Sequence, residues 1–595
     1  MALADFNIAE RKAPLVGLAL RILANPLTWV AFATGVLVAA SAVLTGPGLT
    51  QSLGDTDDAV RLLTVRELLG GASFFDTTLA RIGAPDPLVS HWSRLIDSPL
   101  AVLIVLQRPF VGADAAELST RAIWPLMLFV GLTYLVAREV KRQGGAWAMG
   151  IALSLVAITP IAMVQFRPGR IDHHNAQILC AVAGLLLLRR AIEEPRAGWA
   201  AGLFLGLGLA VGYEGIALVV PMLILAAALY LFTPSIGRGP VHAMIAATVT
   251  MLAALMLTTA PQRLTLYACD ALSLNLVVLA GAGAMALWAA SVLRLPLIPR
   301  VALAGAGASI GFGLYATLEP ACLAGPFGQV DAALGPIWLD HVLETQSLFR
   351  FIADHPDAGV PTLIVLIAGL AAQLALLHLE RSPAMLFATT ATVLAVLLGS
   401  WQIKLTPYAA WLCVVPIGVL TARLRADPRT MPLALRGLMV LLLLIAFSDT
   451  LTGLVLPAKD PEAETAAATL HDTCYRTGNV AKLTELPTGL VASGTDLGPY
   501  VAALTPHRVV AAPYHRIPKG ILAAHTIFTA DPETAHATVR SLGVTYIATC
   551  TTKAKTETKA PGKGLRDRLL ASETVPWLAE VTPGVEHMRV WRVLN

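Results

Sequence analysis

Residues 146–190 read AWAMGIALSLVAITPIAMVQFRPGRIDHHNAQILCAVAGLLLLRR, in which two apolar runs, 146–164 and 176–190, close on a polar island from Phe166 to Asn175. Each run approaches the roughly 20 apolar residues that a helix needs to cross a bilayer. The island therefore sits where a membrane helix begins. Ionisable groups at that depth are costly to desolvate, so Asp172 beside His173 and His174 points to metal or proton chemistry more than to packing.

The rest of the chain has the same texture. Its 595 residues are 56% hydrophobic and 14% charged, with a mean hydropathy of +0.68. Soluble domains carry about 25% charged residues, so the composition predicts a polytopic α-helical membrane protein. The formal net charge of +4 is small for this length, and nucleic acid is not expected as a partner. About thirteen candidate spans lie at 24–45, 121–137, 146–164, 176–190, 197–212, 215–233, 241–260, 272–293, 300–317, 358–378, 384–400, 407–422 and 434–455.

Arg138, Lys141 and Arg142, then Arg189, Arg190 and Arg196, then Arg238, then Arg294 and Arg300, then Arg381, and finally Arg423, Arg425, Arg429 and Arg436 fall in alternate connections. Basic residues are retained on the cytoplasmic side. The N-terminus, with Arg11, Lys12 and Arg21, is then cytoplasmic, and the acidic segments and the tail lie outside. This is the arrangement of a multi-pass protein of a bacterial inner membrane. Ala40-Ser41-Ala42 also fits a signal-peptide cleavage site, although the first run is long enough to remain as an anchor.

Residues 1–455 thus read as a transmembrane domain with long outer loops at 46–120 and 318–357, and residues 456–595 as an extracytoplasmic domain. In the tail, a helical pattern at Pro532–Leu542 precedes a strand-like Val544–Thr549, which suggests a small α/β fold. Cys269, Cys322, Cys474 and Cys550 fall in outer segments, where an oxidising compartment permits the pairs Cys269 with Cys322 and Cys474 with Cys550. Cys180 and Cys413 fall within spans.

Candidate chemistry gathers on the outer side. Asp55-Thr56-Asp57-Asp58 follows the first span, and Asp172 and His174 are separated by one residue, which lets both reach one ion from a turn. Mixed carboxylate and imidazole ligands suit Mg²⁺ or Mn²⁺, the latter tolerating nitrogen better. Asp172 also fits a helix cap, and caps of this kind are common, but capping alone leaves both imidazoles unexplained. Thr505-Pro506-His507-Arg508, Pro513-Tyr514-His515-Arg516 and Tyr213-Glu214-Gly215 are further polar clusters. Glu214, His507, Tyr514, His515 and Arg516 are candidate contacts to a donor or an acceptor.

In its order of parts the chain resembles the catalytic subunit of oligosaccharyltransferases, members of the C-type (GT-C) glycosyltransferase superfamily. Thr56-Asp57-Asp58 matches the first acidic motif of that family, and Asp172-His173-His174 is similar to the island of its archaeal members. His341-Val342-Leu343-Glu344-Thr345-Gln346 resembles its Ser-Val-Ser-Glu motif, and Gln402-Ile403-Lys404 resembles a Gln-x-Arg segment. The resemblance implies that Asp57, Asp172, His174 and Glu344 hold a divalent metal and that Lys404 meets the donor phosphate. It also implies a catalytic role for Asp57, Asp58, Asp172 and Glu344, with Asp57 or Asp58 as the general base. The family's Trp-Trp-Asp acceptor motif corresponds here to Gly494-Thr495-Asp496-Leu497-Gly498, which lacks both indoles.

The expectation is a metal-dependent glycosyltransferase that moves a sugar or oligosaccharide from a polyprenyl-(pyro)phosphate donor. The acceptor would be an envelope lipid, glycan or protein, and membrane lipid would surround the site. The competing class is a carrier of a lipid-linked or anionic solute, since many spans with buried charges describe carriers too.

Overall fold

A computed structural model describes residues 14–45, 53–448, 450, 473–551 and 564–594. Arg11, Lys12, the end of the last apolar run and residues 456–472 of the tail lie outside the described residues. The protein is a polytopic α-helical membrane protein. Among the described residues, nine helices are long and apolar enough to cross a membrane by length and composition, and Ala197–Val211, Ile216–Phe232 and Met431–Ala446 are shorter apolar helices. One of the nine, Ala113–Ile158, contains the second apolar run and most of the third and breaks at Gly145, where φ is 75° and ψ is −170°. A side chain would strain that left-handed conformation, so glycine is the residue that fits the break.

Small residues set how closely the helices pack. Gly198, Gly202 and Gly206 form a stripe along Ala197–Val211, and a Cβ on any of them would run into the backbone carbonyls of Gly239, Ala243 and Ala247 on the facing helix. In lipid, where helix association draws little from the hydrophobic effect, such close backbone approach supplies the packing.

Two spans form the centre of the bundle. His174–Glu193 is buried over 83% of its apolar window, and the window running from Ile403 to Ala426 over 89%. Trp411 on the second is fully enclosed and donates its indole N–H to the Ala162 carbonyl at 2.9 Å, just before the polar island. Both central helices begin beside candidate residues, His174 and Lys404.

The C-terminal region carries a five-stranded mixed sheet in the order Arg508–Val509, Leu490–Ala492, Tyr546–Cys550, Met588–Val593 and Leu578–Glu580. The first three strands run parallel and the last two pair antiparallel. Helix Pro532–Leu542 forms as expected, between an Asp531 cap and a left-handed Gly543, and the strand after it runs from Tyr546 to Cys550. Both expected disulfides are present, Cys269–Cys322 and Cys474–Cys550, while Cys180 and Cys413 are free and buried.

This sheet shares its core with the first long loop. Ile82 bridges to Val509, and the amides of Gly83 and Ala84 donate to the carbonyls of Val509 and Val510 at 3.0 and 3.1 Å, extending the sheet edge. Leu62, Leu63, Leu79 and Trp92 from the loop pack in one cluster with Val491, Tyr500, Val501 and Tyr546 from the tail. The first long loop and the tail are thus joined over the ends of the two central helices.

Candidate functional site

Helix Thr56–Leu69 starts with a capping box. Asp55 accepts from the amides of Asp57 and Asp58 at 2.9 and 3.2 Å, and the Asp58 carboxylate accepts from the Asp55 amide at 3.0 Å. This box satisfies N–H groups that helix geometry leaves free. It also turns Asp57 and Asp58 to different faces, because successive helical residues are about 100° apart. Asp58 points inward, where its Oδ1 accepts from the amides of Ile171 and Asp172 at 2.6 and 2.9 Å. Arg170 lies 3.1 Å from the other Asp58 oxygen and also pairs with Asp55 and Asp172. Asp55, Asp58 and Asp172 come close enough to hold an ion, but Arg170 already bonds all three. The first acidic knot and the island are therefore one arginine-centred cluster.

Asp57 faces the other way, toward His174 and Glu344. His174 begins its helix, its amide donating to Asp172 Oδ1 at 3.0 Å. The buried His174 Nε2 has no hydrogen-bond partner and lies 3.8 Å from Asp57 Oδ2 and 3.7 Å from Glu344 Oε1. Each separation is shorter than about twice a metal–ligand bond of ~2.1 Å, so a cation on His174 Nε2 is within reach of either carboxylate. Burial pushes the Asp57 carboxyl up to about 8, with Asp55 and Glu344 adding to the rise. A carboxylate so disfavoured, an unpartnered imidazole nitrogen and a second carboxylate are a donor set that fits a divalent cation. Asp172 contributes by fixing the start of the helix that carries His174, with Arg170 on its other oxygen.

Glu344 stands in a short turn, Leu343–Thr345, and the next residue, Gln346, accepts from the Ile403 amide at 2.8 Å. That bond places the Glu344 turn beside Lys404, whose Nζ lies 5.7 Å from the centre of the Phe327 ring. Glu214 meets His173 Nε2 at 2.9 Å and also pairs with the Gln177 amide. Burial opposes the Glu214 charge, but His173, His174 and Lys404 outweigh it and hold the carboxyl well below its usual range. His173, His174 and Glu214 form a second triad with metal-compatible spacing, in which His173 and Glu214 already satisfy each other.

No protein-family model matches the sequence, and no curated protein matches it either. Solved structures do. The archaeal oligosaccharyltransferase AglB from Archaeoglobus fulgidus, in complex with an inhibitory peptide and a dolichol-phosphate, superposes with a TM-score of 0.63 at 14% identity, over 88% of this chain and 69% of that one. The chain has the fold of an oligosaccharyltransferase. An apo structure from the same organism gives a TM-score of 0.63 at 13% identity over the same shares, and a complex with Zn and sulfate gives 0.59 at 14% identity over 89% and 68%. The likeness read from the order of parts is one of fold.

Within the oligosaccharyltransferase fold, several candidate residues turn out to be engaged elsewhere. Asp58 is fully buried with both oxygens occupied, so it has no surface on which to act as a base. His507 is enclosed in the tail, where its ring nitrogens meet the Gly489 amide at 3.1 Å and the Leu483 carbonyl at 2.9 Å, and it offers nothing to an acceptor. His515 and Arg516 do not face open solvent but clamp Asp270, at 2.7 Å from the imidazole and 2.6 and 2.8 Å from the guanidinium. Burial works against the Asp270 charge, but these partners hold it far below the usual carboxylate range. Tyr514 reaches the site itself, its hydroxyl donating to Asp57 Oδ1 at 2.8 Å.

Sequence reasoning missed Arg170, Asp270 and Trp92. Arg170 stands in the island as its nearest cation to Asp172, and Asp270 follows an outer cysteine, so both had a local signal. Trp92 had none. Its ring lies between Arg61, 4.5 Å from its centre, and the His173 and Tyr514 rings at 5.3 and 5.4 Å.

Proposed function

We propose that the chain is a glycosyltransferase that moves a sugar or oligosaccharide from a polyprenyl-phosphate or polyprenyl-pyrophosphate donor to an envelope acceptor. The reaction would take place at the outer face of a bacterial inner membrane, with the N-terminus cytoplasmic and the tail in the periplasm. The observation that carries this reading is the approach of the unpartnered His174 Nε2 to both Asp57 and Glu344, near Lys404, in a chain with an oligosaccharyltransferase fold.

Asp57, His174 and Glu344 would hold Mg²⁺ or Mn²⁺, with Asp172 orienting His174; a related fold has been seen with Zn and sulfate, and another with a dolichol-phosphate. When bound, the cation would supply positive charge against the phosphate that leaves the sugar. Lys404 adds a second cation at the phosphate. The Phe327 ring lies 5.7 Å from that ammonium. Asp57 is partly exposed where Asp58 is fully buried, so of the two it is the aspartate that an acceptor hydroxyl or amide can approach.

The carrier reading is set aside because the charged groups gather at helix starts at one end of the bundle, whereas carriers bind near mid-span. The acceptor is an envelope lipid, glycan or protein, because the aromatic motif that would single out a protein sequon has no counterpart in this chain. Gly494 and Thr495 supply no aromatic wall, and the Gly494 carbonyl instead accepts from Leu497 to open the short helix beside them.

Incubation of the purified protein in nanodiscs with synthetic polyprenyl-phosphate and polyprenyl-pyrophosphate sugars tests the donor half. Release of the lipid phosphate that stops in Asp57→Ala and His174→Ala supports the reading. Equal turnover in those variants would refute it. Glycolipid and intact-mass profiling of cells with and without the chain then identifies which envelope molecule loses a sugar.

A further inference from the structure

Tyr514 comes from the tail, more than 450 positions from the aspartate it touches. Its hydroxyl donates to Asp57 Oδ1 at 2.8 Å and lies 3.4 Å from the Thr56 carbonyl, while Asp57 Oδ2 is the oxygen that faces His174. The phenol is nearly enclosed, and its ring meets Trp92 edge to face at 5.4 Å. Trp92 is backed by Arg61, which is itself held by Asp97 at 2.5 Å. On the other side the next two residues, His515 and Arg516, grip Asp270, whose neighbour Cys269 is bonded to Cys322 at the head of the segment carrying Glu344.

We propose that Tyr514 is a positioning residue for the metal site: its hydroxyl fixes the rotation of the Asp57 carboxylate so that Oδ2 is presented to the cation shared with His174 and Glu344, and the Asp270 clamp holds Tyr514 in place. This rests on the metal reading given above. A carboxylate tied through one oxygen presents the other in a single direction, as groups behind metal ligands commonly do. Domain docking does not need this hydroxyl, because the tail is already joined to the first loop through the Gly83 and Ala84 hydrogen bonds and a shared apolar core. Tyr514→Phe keeps the ring against Trp92 and removes only the hydrogen bond to Asp57.

The test is Mn²⁺ titration of the full-length, detergent-solubilised protein, followed by electron paramagnetic resonance with no donor present. Melting curves are recorded in parallel. The wild type is expected to bind one Mn²⁺ that is lost in His174→Ala. Tyr514→Phe is expected to bind it about 10-fold or more weakly with an unchanged melting temperature. Asp270→Asn should weaken it in the same direction, and the double variant should be no weaker than Tyr514→Phe, because both changes act through one hydroxyl. Equal affinity in wild type and Tyr514→Phe overturns the positioning role while leaving the metal site standing. A Tyr514→Phe protein that melts early in step with its loss of Mn²⁺ also overturns it, since the hydroxyl would then be structural. Additive losses in the double variant overturn the clamp. A wild type that binds no Mn²⁺, or keeps it in His174→Ala, removes the metal reading itself.

Discussion

Asp58 and Arg170 form a buried ion pair at 3.1 Å that joins the helix after the first span to the Asp-His-His island. It is the bond that makes two distant acidic motifs into one site. Arg170 serves three carboxylates at once, so its loss leaves Asp55, Asp58 and Asp172 without their cation. Removing one member of a buried charge network costs about 3–5 kcal/mol. Arg170→Leu is expected to lower the melting temperature sharply in detergent and to abolish turnover. Unchanged melting would show that the cluster does not hold the island.

Lys404 stands beside the Glu344 turn and against Phe327. A charge-assisted hydrogen bond to phosphate contributes about 1.5–3 kcal/mol, which corresponds to roughly 10- to 100-fold. Lys404→Met should raise the KM for the lipid-linked donor by that factor, while Lys404→Arg should retain most of the wild-type affinity. Steady-state kinetics with a synthetic donor checks this, and an unchanged KM in Lys404→Met would exclude the phosphate contact.

Burial holds the His91 imidazole down to about 3, against 6.5 in an open chain, although Asp270 pulls it the other way and Arg516, His515 and His173 add to the fall. The folded pKa is depressed, so the sign is fixed. The unfolded chain takes up a proton below about pH 6.5 that the folded protein refuses. The stability is full above that pH and falls as the pH drops toward 3. At pH 5 the loss from this residue is about 1–2 kcal/mol. His91→Phe is expected to flatten part of the fall in melting temperature between pH 7 and 5, and parallel curves for the two proteins would contradict the assignment.

The Cys269–Cys322 bond closes a loop of 53 residues and ties the Asp270 clamp to the Glu344 segment. Closing a loop of this size contributes about 2–4 kcal/mol. Replacing both cysteines by serine should open residues 318–347 to limited proteolysis while the tail sheet, stapled separately by Cys474–Cys550, stays protected. Equal cleavage rates would show that the bond does not order the segment.

The helical framework was legible because the bilayer demands long apolar runs, and a helix falls on each run that was read. Among the described residues the second and third runs are joined, since Gly145 breaks a helix without ending it, and the third run stops at Thr159 before two short turns. His174, Asp57 and Glu344 were singled out from short motifs, and the structure places His174 3.8 Å from Asp57 and 3.7 Å from Glu344. Asp58 was misjudged because adjacent acids look alike in sequence, and only the capping box reveals that one points inward. His507, His515 and Arg516 read as contacts to a donor or an acceptor, yet their partners Leu483, Gly489 and Asp270 are supplied by the fold rather than by neighbouring residues. Tyr514 could not be joined to Asp57 in advance, because that bond depends on how the tail docks.

The most direct measurement is a structure of the Mn²⁺-soaked protein with the manganese located by anomalous scattering. One peak in contact with Asp57 Oδ2, His174 Nε2 and Glu344 Oε1 is the expected result. A peak on His173, His174 and Glu214 that leaves Asp57 and Glu344 untouched, or no peak at this end of the bundle, would contradict the proposed metal site.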